Sequence, residues 1–320
     1  MSSRSWTASD RTGRLAAARH ATISIVIRLL VVDFANIAHR AYFAGRGNPT
    51  FAPDGRPVFL VSTFLRFVHA RIREERVTHV ALAFESTTGS RRRDLFPDYK
   101  PRKGEEPDDL LPQLRDANIA AGRLGWARYR AEGWEADDAM AGIADAAVAA
   151  GFDEVLLHTG DHDLLGMASD RVAVLIPRAG GGVDRFGPSD VEERSSYRVP
   201  PALVADVKAL IGDSTDGYGG VRGIGPSAGP DLVRRFGSVA ALYERIGEVE
   251  AAGVRNRLLA GREDAFRCLD LATLRRDAPL SPPFDPEAGR VGTHDPERAA
   301  AWLRAMGLAE AARAMPGRLD

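Results

Sequence analysis

The chain has 320 residues, 44% of them hydrophobic and 27% charged, and a formal net charge of −1; this is the make-up of a soluble globular protein with room for one large domain or two ordinary ones. Its single cysteine, Cys268, excludes an internal disulfide and a cysteine-based zinc site, and reads as a small buried hydrophobe on a helix of a cytoplasmic protein. The longest apolar run, Ile23–Val32, is interrupted by Ser24 and Arg28 and falls short of the roughly 18 to 20 residues that cross a bilayer, which excludes a membrane helix.

Residues 1–22 are rich in Ser, Arg and Ala without a long apolar segment, so they read as a disordered extension or an initiation codon placed too early, not as a secretory signal. A β-branched run predicts a strand over Arg28–Asp33 and 3.6-residue spacing predicts a helix over Val58–Arg73; a second strand, His79–Glu85, follows. Between Ser86 and Pro112 the periodicity fails and Arg, Lys, Pro and Gly dominate, as in a mobile excursion over a site; long insertions in compact domains tend to be functional. Helices over Leu110–Leu124 and Ala136–Ala150 and strands over Glu154–Thr159 and Arg171–Ile176 complete an alternation that predicts a parallel sheet covered by helices. After Pro188 the pattern turns to helices only: Pro200–Ile211, Ser227–Phe236, Val239–Ile246 and Arg255–Leu274, with two Ala-rich helices, Pro296–Met306 and Leu308–Met315, at the tail. A domain boundary is placed near residue 188.

Four acidic clusters lie at the ends of these elements: Asp33; Glu135, Asp137 and Asp138; Asp161 and Asp163; Asp213 and Asp216. Helix capping accounts for one carboxylate per helix start. Several together repel and cost desolvation energy unless a hard divalent cation lies between them, which points to magnesium or manganese with oxygen ligands. His162, isolated between Asp161 and Asp163, reads as an exposed loop residue. Downstream, Gly220-Val-Arg-Gly-Ile-Gly225 between two helices, with Ser227 opening the second, reads as a helix-hairpin-helix that grips duplex backbone through amides. The near-zero net charge hides basic segments at Arg91–Arg93 and Lys100–Lys103.

Taken in order, Leu30-Val-Val-Asp33, Ala83-Phe-Glu85, Glu132-Gly-Trp-Glu-Ala-Asp-Asp138, Thr159-Gly-Asp-His-Asp163, Gly212-Asp-Ser-Thr-Asp216 and Gly220-Val-Arg-Gly-Ile-Gly225 resemble the 5′→3′ exonuclease and flap endonuclease family, including the exonuclease domain of bacterial DNA polymerase I, here without a polymerase. The resemblance covers roughly residues 29 to 315. It implies an α/β fold with a PIN-like parallel sheet flanked by helices over residues 23–188, a basic arch near 86–112, a helix-hairpin-helix (H3TH) subdomain over 189–290, and C-terminal helices over 291–320 packed on the body.

It further implies two magnesium or manganese ions held by Asp33, Glu85, Glu135, Asp137, Asp138, Asp161, Asp163, Asp213 and Asp216. Asp33, Arg40, Arg92 and Lys100 would be catalytic. Arg91, Arg92, Tyr99, Lys100, Arg102 and Lys103 would form an arch for a frayed 5′ strand. Gly220, Arg222, Gly223, Ile224, Gly225 and Ser227 would bind duplex, with a potassium ion on the hairpin carbonyls. The implied activity is hydrolysis of DNA at 5′ ends, flaps or single-strand/duplex junctions, by two-metal in-line attack of water, in replication or repair, by a cytoplasmic monomer. Departures from the family pattern are Glu85 for aspartate, Phe34 for glycine, His39 for tyrosine, His162 for lysine, and Gly225-Pro-Ser-Ala-Gly229 without the usual lysine and threonine. They leave open a catalytically weakened, structure-specific DNA-binding protein; a third reading is a ribonuclease on the same scaffold, since the hairpin favours duplex DNA but nothing in the sequence reads the 2′-hydroxyl.

Overall fold

Strands rich in Val, Leu and Ala that are buried on both faces belong in the middle of a helix-covered sheet. The computed structural model, which describes residues 26–100 and 104–314, contains such a sheet. Its strands are β1 (Arg28–Asp33), β2 (His79–Phe84), β3 (Ala127–Ala131), β4 (Glu154–His158), β5 (Val172–Pro177), β6 (Val183–Phe186) and β7 (Leu280–Ser281), in the spatial order β6-β5-β4-β1-β2-β3-β7. β1 to β5 are parallel. The two edges, β6 and β7, are antiparallel, so the expected parallel sheet is mixed at its borders. A five-residue turn is enough to fold β6 back on β5, whereas a parallel partner would need a crossover.

The helices are α1 (Phe34–Gly45), α2 (Phe59–Glu74), α3 (Arg91–Leu95), α4 (Leu110–Arg123), α5 (Ala136–Ala149), α6 (Pro188–Arg194), α7 (Val204–Ile211), α8 (Ala228–Phe236), α9 (Val239–Glu244), α10 (Ala252–Ala260), α11 (Arg262–Ala272), α12 (Pro296–Ala305) and α13 (Ala309–Arg313). Alternation along β1 sends Leu30 and Val32 into one core with α1, α2, α4 and α12, and Leu29 and Val31 into another with α5. This second core runs without a break into the helical part through Val207 and Leu210 of α7 and Leu271 of α11. Among the described residues after Pro188 the strand elements are limited to β7, which returns to pair with β3. Cys268 is buried on α11.

The helix expected over Arg255–Leu274 is broken at Gly261, where a Cβ would come within 2.8 Å of Val221 Cγ1. Glycine at the break is what leaves room for the two segments to approach. The expected 1–22 extension, Arg102, Lys103 and the end of the last helix at Met315 lie outside the described residues. Among the described residues no helix is long and apolar enough to cross a membrane.

Candidate active site

The chain proceeds outward from β1 through β2 to β3, then returns to place β4 on the other side of β1. At such a switch point the carboxyl ends of the strands open a crevice where α/β sheets gather ligands. Asp33 ends β1 and caps α1: one carboxylate oxygen accepts the Asn36 amide at 3.1 Å, the other the Thr159 hydroxyl at 2.8 Å. Asp161 follows β4 and accepts the Asp163 amide at 2.9 Å. Glu85 follows β2, and Asp137 stands in the first turn of α5. Asp33, Glu85, Asp137 and Asp161 line one cleft of 1060 Å³, with Arg40 and Lys100 also on its wall.

Gly160 lets Arg40 approach this cleft. A Cβ there would lie 2.6 Å from the Arg40 guanidinium and 2.7 Å from Asn36 Oδ1, which itself accepts the Gly160 amide at 2.9 Å.

A second group assembles from segments about 50 residues apart. Carboxylate oxygens of Asp163, Asp213 and Asp216 lie within 4.8 Å of one another. The expected Asp213–Asp216 pair is formed by a turn beyond α7, in which Asp213 accepts the amides of Thr215 at 2.7 Å and Asp216 at 3.2 Å. Lys208 of α7 is 2% exposed and ion-paired to Asp163, and to Asp213 at 2.8 Å. Sequence reasoning missed it, although a single lysine within the apolar run Val204–Ile211 is a legible signal of a buried charge with a partner. Asn36 and Thr159, which orient Asp33, were also missed.

The electrostatics record the crowding. Burial first, then repulsion from Asp161, raises Asp33 and Asp137 above the ordinary aspartate range. The same two causes push Asp163 up to about 7. Glu85 opens to the cleft, yet desolvation and Glu135 push it up to about 7. Asp213 is pulled down, because Lys208 and the turn amides outweigh its burial. Lys100 is held charged: burial opposes this, but Asp137 and Glu135 outweigh it.

Glu135 caps α5 and is gripped from the arch side. It accepts the Tyr99 hydroxyl at 2.9 Å, Lys100 Nζ at 3.2 Å and Arg92 Nη1 at 3.3 Å. Tyr99 also donates to Asp216 at 3.2 Å and is 3% exposed, so it braces the carboxylates from within and does not face a passing strand. Arg92, expected in the arch, is 5% exposed. Its guanidinium forms a two-toothed pair with Asp138 at 2.5 and 2.8 Å and donates to the carbonyls of Leu271 at 2.8 Å and Thr273 at 3.1 Å. Asp138, fully buried, also accepts the Glu135 and Arg275 amides. Its lone pairs are thus occupied by protein donors, and neither it nor Arg92 is presented to the cleft. Arg91 is exposed and lies over the Trp134 ring at 4.9 Å.

The glycine hairpin joins α7 to α8. Arg222, Gly223 and Ser227 are exposed, whereas Ile224 is buried and its amide closes the turn onto Val221 at 2.9 Å. Gly220 has a positive φ of 60° and packs directly on the Gly212 backbone, which ties the hairpin to the Asp213–Asp216 turn. Among the departures, Phe34 is absorbed by the core, its ring 4.5 Å from Phe84 and 5.5 Å from Phe64. His39 lines the cleft, and His162 is exposed.

These donors fit a divalent metal. They are carboxylates only, they crowd to 4.8 Å, and burial with mutual repulsion raises several of them, a penalty that a hard cation relieves.

The chain matches the family models for the 5′-3′ exonuclease N-terminal resolvase-like domain over residues 28–196 and the 5′-3′ exonuclease C-terminal SAM fold over residues 199–297. It is 31% identical to a Bacillus subtilis 5′-3′ exonuclease over 256 residues, covering 79% of this chain and 85% of that one. It is 34% identical to the DNA polymerase I of Chloroflexus aurantiacus over 83% of this chain, and spans 28% of that relative's length. The T5 5′-exonuclease, whose structure holds zinc, superposes with a TM-score of 0.65 at 22% identity, covering 79% of this chain and 92% of that one. The chain belongs to the 5′-3′ exonuclease family and is a hydrolase, a nuclease with the α/β nuclease sheet and the C-terminal helical fold of that family.

Proposed function

We propose that the protein hydrolyses DNA from a 5′ end or at a 5′ flap, using two divalent ions, magnesium or manganese, as a cytoplasmic monomer in replication or repair. One observation carries this reading: carboxylates from separate segments of the chain converge at the switch point of the sheet, Asp163, Asp213 and Asp216 within 4.8 Å and Asp33, Glu85, Asp137 and Asp161 around the adjoining cleft. Residues 23–188 supply most of the metal-binding carboxylates, and 189–290 add Asp213 and Asp216 and hold the duplex. Asp33, Glu85, Asp137 and Asp161, with Glu135, would hold one ion, and Asp163, Asp213 and Asp216 the other. Such ions, when bound, activate water and neutralise charge on the phosphate.

The chain's own residues do the rest. Thr159 and the Asn36 amide orient Asp33, and Tyr99 and Lys100 orient Glu135. Arg40 and Lys100, both cationic on the cleft wall, bind the scissile phosphate and offset its developing charge. Arg92 acts through Glu135 and Asp138 as a positioning residue. Arg91 and the basic segment to Lys103 attract the 5′ strand, and the hairpin holds the duplex through its amides and Arg222.

The test is cleavage of a 5′-end-labelled flap duplex in magnesium or manganese, then in chelator, beside Asp161→Ala. The expected outcome is metal-dependent release of a flap fragment, with Asp161→Ala binding the DNA but cutting it at least 100-fold more slowly, an order of magnitude typical for removing a group that stabilises the transition state. Binding without cutting in every metal would leave a structure-specific binding protein, and matched RNA flaps cut faster would make it a ribonuclease.

A further inference from the structure

Three cationic or titratable features stand outside the carboxylate site: the buried imidazoles of His69 and His294, the arginines around the small cleft at β3 and β7, and the arginine that α10 lays on the glycine hairpin. The last is carried furthest by its surroundings. α8, which follows the hairpin, begins Ala228-Gly-Pro-Asp231, so the only charged residue in its first turn is acidic. Asp231 is ion-paired to Arg234. An acidic side chain satisfies the helix dipole and competes with a phosphate for that end of the helix. The helix that follows the hairpin therefore brings no cation to a phosphate at its start.

The cation comes from elsewhere in the fold. The junction of α10 and α11 packs on the hairpin at Gly261, opposite Val221. One turn earlier, Arg257 lays its side chain over Gly223: a Cβ on Gly223 would lie 2.9 Å from Arg257 Cδ and 3.2 Å from Nε. Only glycine leaves room for this stem. The Arg257 guanidinium reaches the Gly223 carbonyl at 3.5 Å, and Arg257 is exposed beside exposed Arg222 and Gly223. Among the described residues neither Arg222 nor Arg257 is paired with a carboxylate, whereas Arg234, Arg235, Arg245 and Arg267 nearby all are.

We propose that Arg257 of α10, together with Arg222, is the phosphate-binding cation of the hairpin, supplied across the fold in place of side chains in the first turn of α8. The ligand is the backbone of duplex DNA, so the inference rests on the DNA-binding reading above. A stem fixed along the hairpin backbone loses less side-chain freedom on binding than a free arginine, and its planar head suits a phosphate. The contact ignores base sequence.

The experiment measures binding of a labelled 5′-flap duplex in chelator across a series of salt concentrations, for the parent protein, Arg257→Ala, Arg222→Ala and Arg304→Ala on the exposed face of α12. Each phosphate contact contributes about 0.9 to the slope of log affinity against log salt. Arg257→Ala and Arg222→Ala are expected to weaken binding about three- to tenfold at moderate salt and to lower the slope by about 1 each, equally for unrelated duplex sequences, with the slope of Arg304→Ala unchanged. Thermal unfolding identical to that of the parent protein separates this from loss of fold, and Arg257→Lys is expected to recover most of the slope. A parent protein that binds with a slope untouched by Arg257→Ala overturns the inference and leaves the nuclease reading intact. A parent protein that binds no DNA at all overturns both.

Discussion

Asp137 and Asp138 are adjacent on the first turn of α5, and the fold gives them opposite tasks. Asp137 faces the cleft, where burial and Asp161 work against its charge. Asp138 is fully buried against Arg92 and two backbone amides. Asp137→Asn is therefore expected to raise stability in chelator while weakening divalent-metal affinity at least tenfold. Asp138→Asn removes the two-toothed partner of the buried Arg92 guanidinium, leaving it only the longer Glu135 contact, and should cost about 3 kcal/mol of stability, with a smaller loss of metal affinity. Urea unfolding beside calorimetric titration with manganese reads both quantities, and a stabilised Asp138→Asn would refute the assignment. From the sequence the two residues are equivalent members of an acidic cluster, because a run of four residues does not tell which carboxylate meets an arginine 46 positions away.

At the scale of elements, the hairpin and the acidic turn are one unit. The Asp213–Tyr218 turn closes through backbone bonds of 2.8 and 3.1 Å, and Gly220 then packs on Gly212 with no room for a side chain. Gly220→Ala adds a Cβ that meets the Gly212 backbone at a residue with φ of 60°, so the turn must shift. The expected cost is about 1 to 3 kcal/mol. Its expected signature in a manganese titration is weaker binding at the Asp163, Asp213 and Asp216 group with binding at the adjoining cleft retained; unchanged manganese binding would show that the turn is not coupled to the hairpin. The hairpin motif and the acidic pair are each legible in the sequence, but their rigid connection is not, since it depends on two glycines meeting backbone to backbone.

Across the whole molecule the carboxylates make stability depend on both pH and metal. Glu85 and Asp163 are held at about 7, above their ordinary values of 4.5 and 3.8. Between those limits the folded, metal-free protein binds more protons than the unfolded chain. Its stability in chelator is therefore present at low pH and lost as pH rises through about 7. A divalent ion needs the same groups deprotonated, so the stabilisation by magnesium grows as pH rises over that window. His69 and His158, pushed down to about 4 by burial first, act in the other sense, removing stability as pH falls below 6.5. They contribute alike with and without metal, so they cancel in the difference. Urea midpoints in magnesium and in chelator at about pH 5.5, 6.5 and 7.5 are expected to diverge steadily; a constant gap would show that these carboxylates do not take up the metal.

The sequence alone determined the β1, β2, β4 and β5 strands, most of the helices and the acidic residues at their ends, because hydrophobic periodicity and helix-start chemistry are local and β-branched runs mark their own strands. It did not reveal β3, whose Ala-Arg-Tyr-Arg-Ala lacks a β-branched residue, nor α1, which begins at Asp33 without a break from the strand. Tertiary structure decided that Arg92 and Tyr99 turn inward, that Lys208 is shared by Asp163 and Asp213, and that Arg257 covers Gly223. Apart from the local Lys208–Asp213 pair, each is a contact between residues more than 30 positions apart. Its energy comes from burial and charge pairing that exist only once the sheet, arch and helical region close on one another.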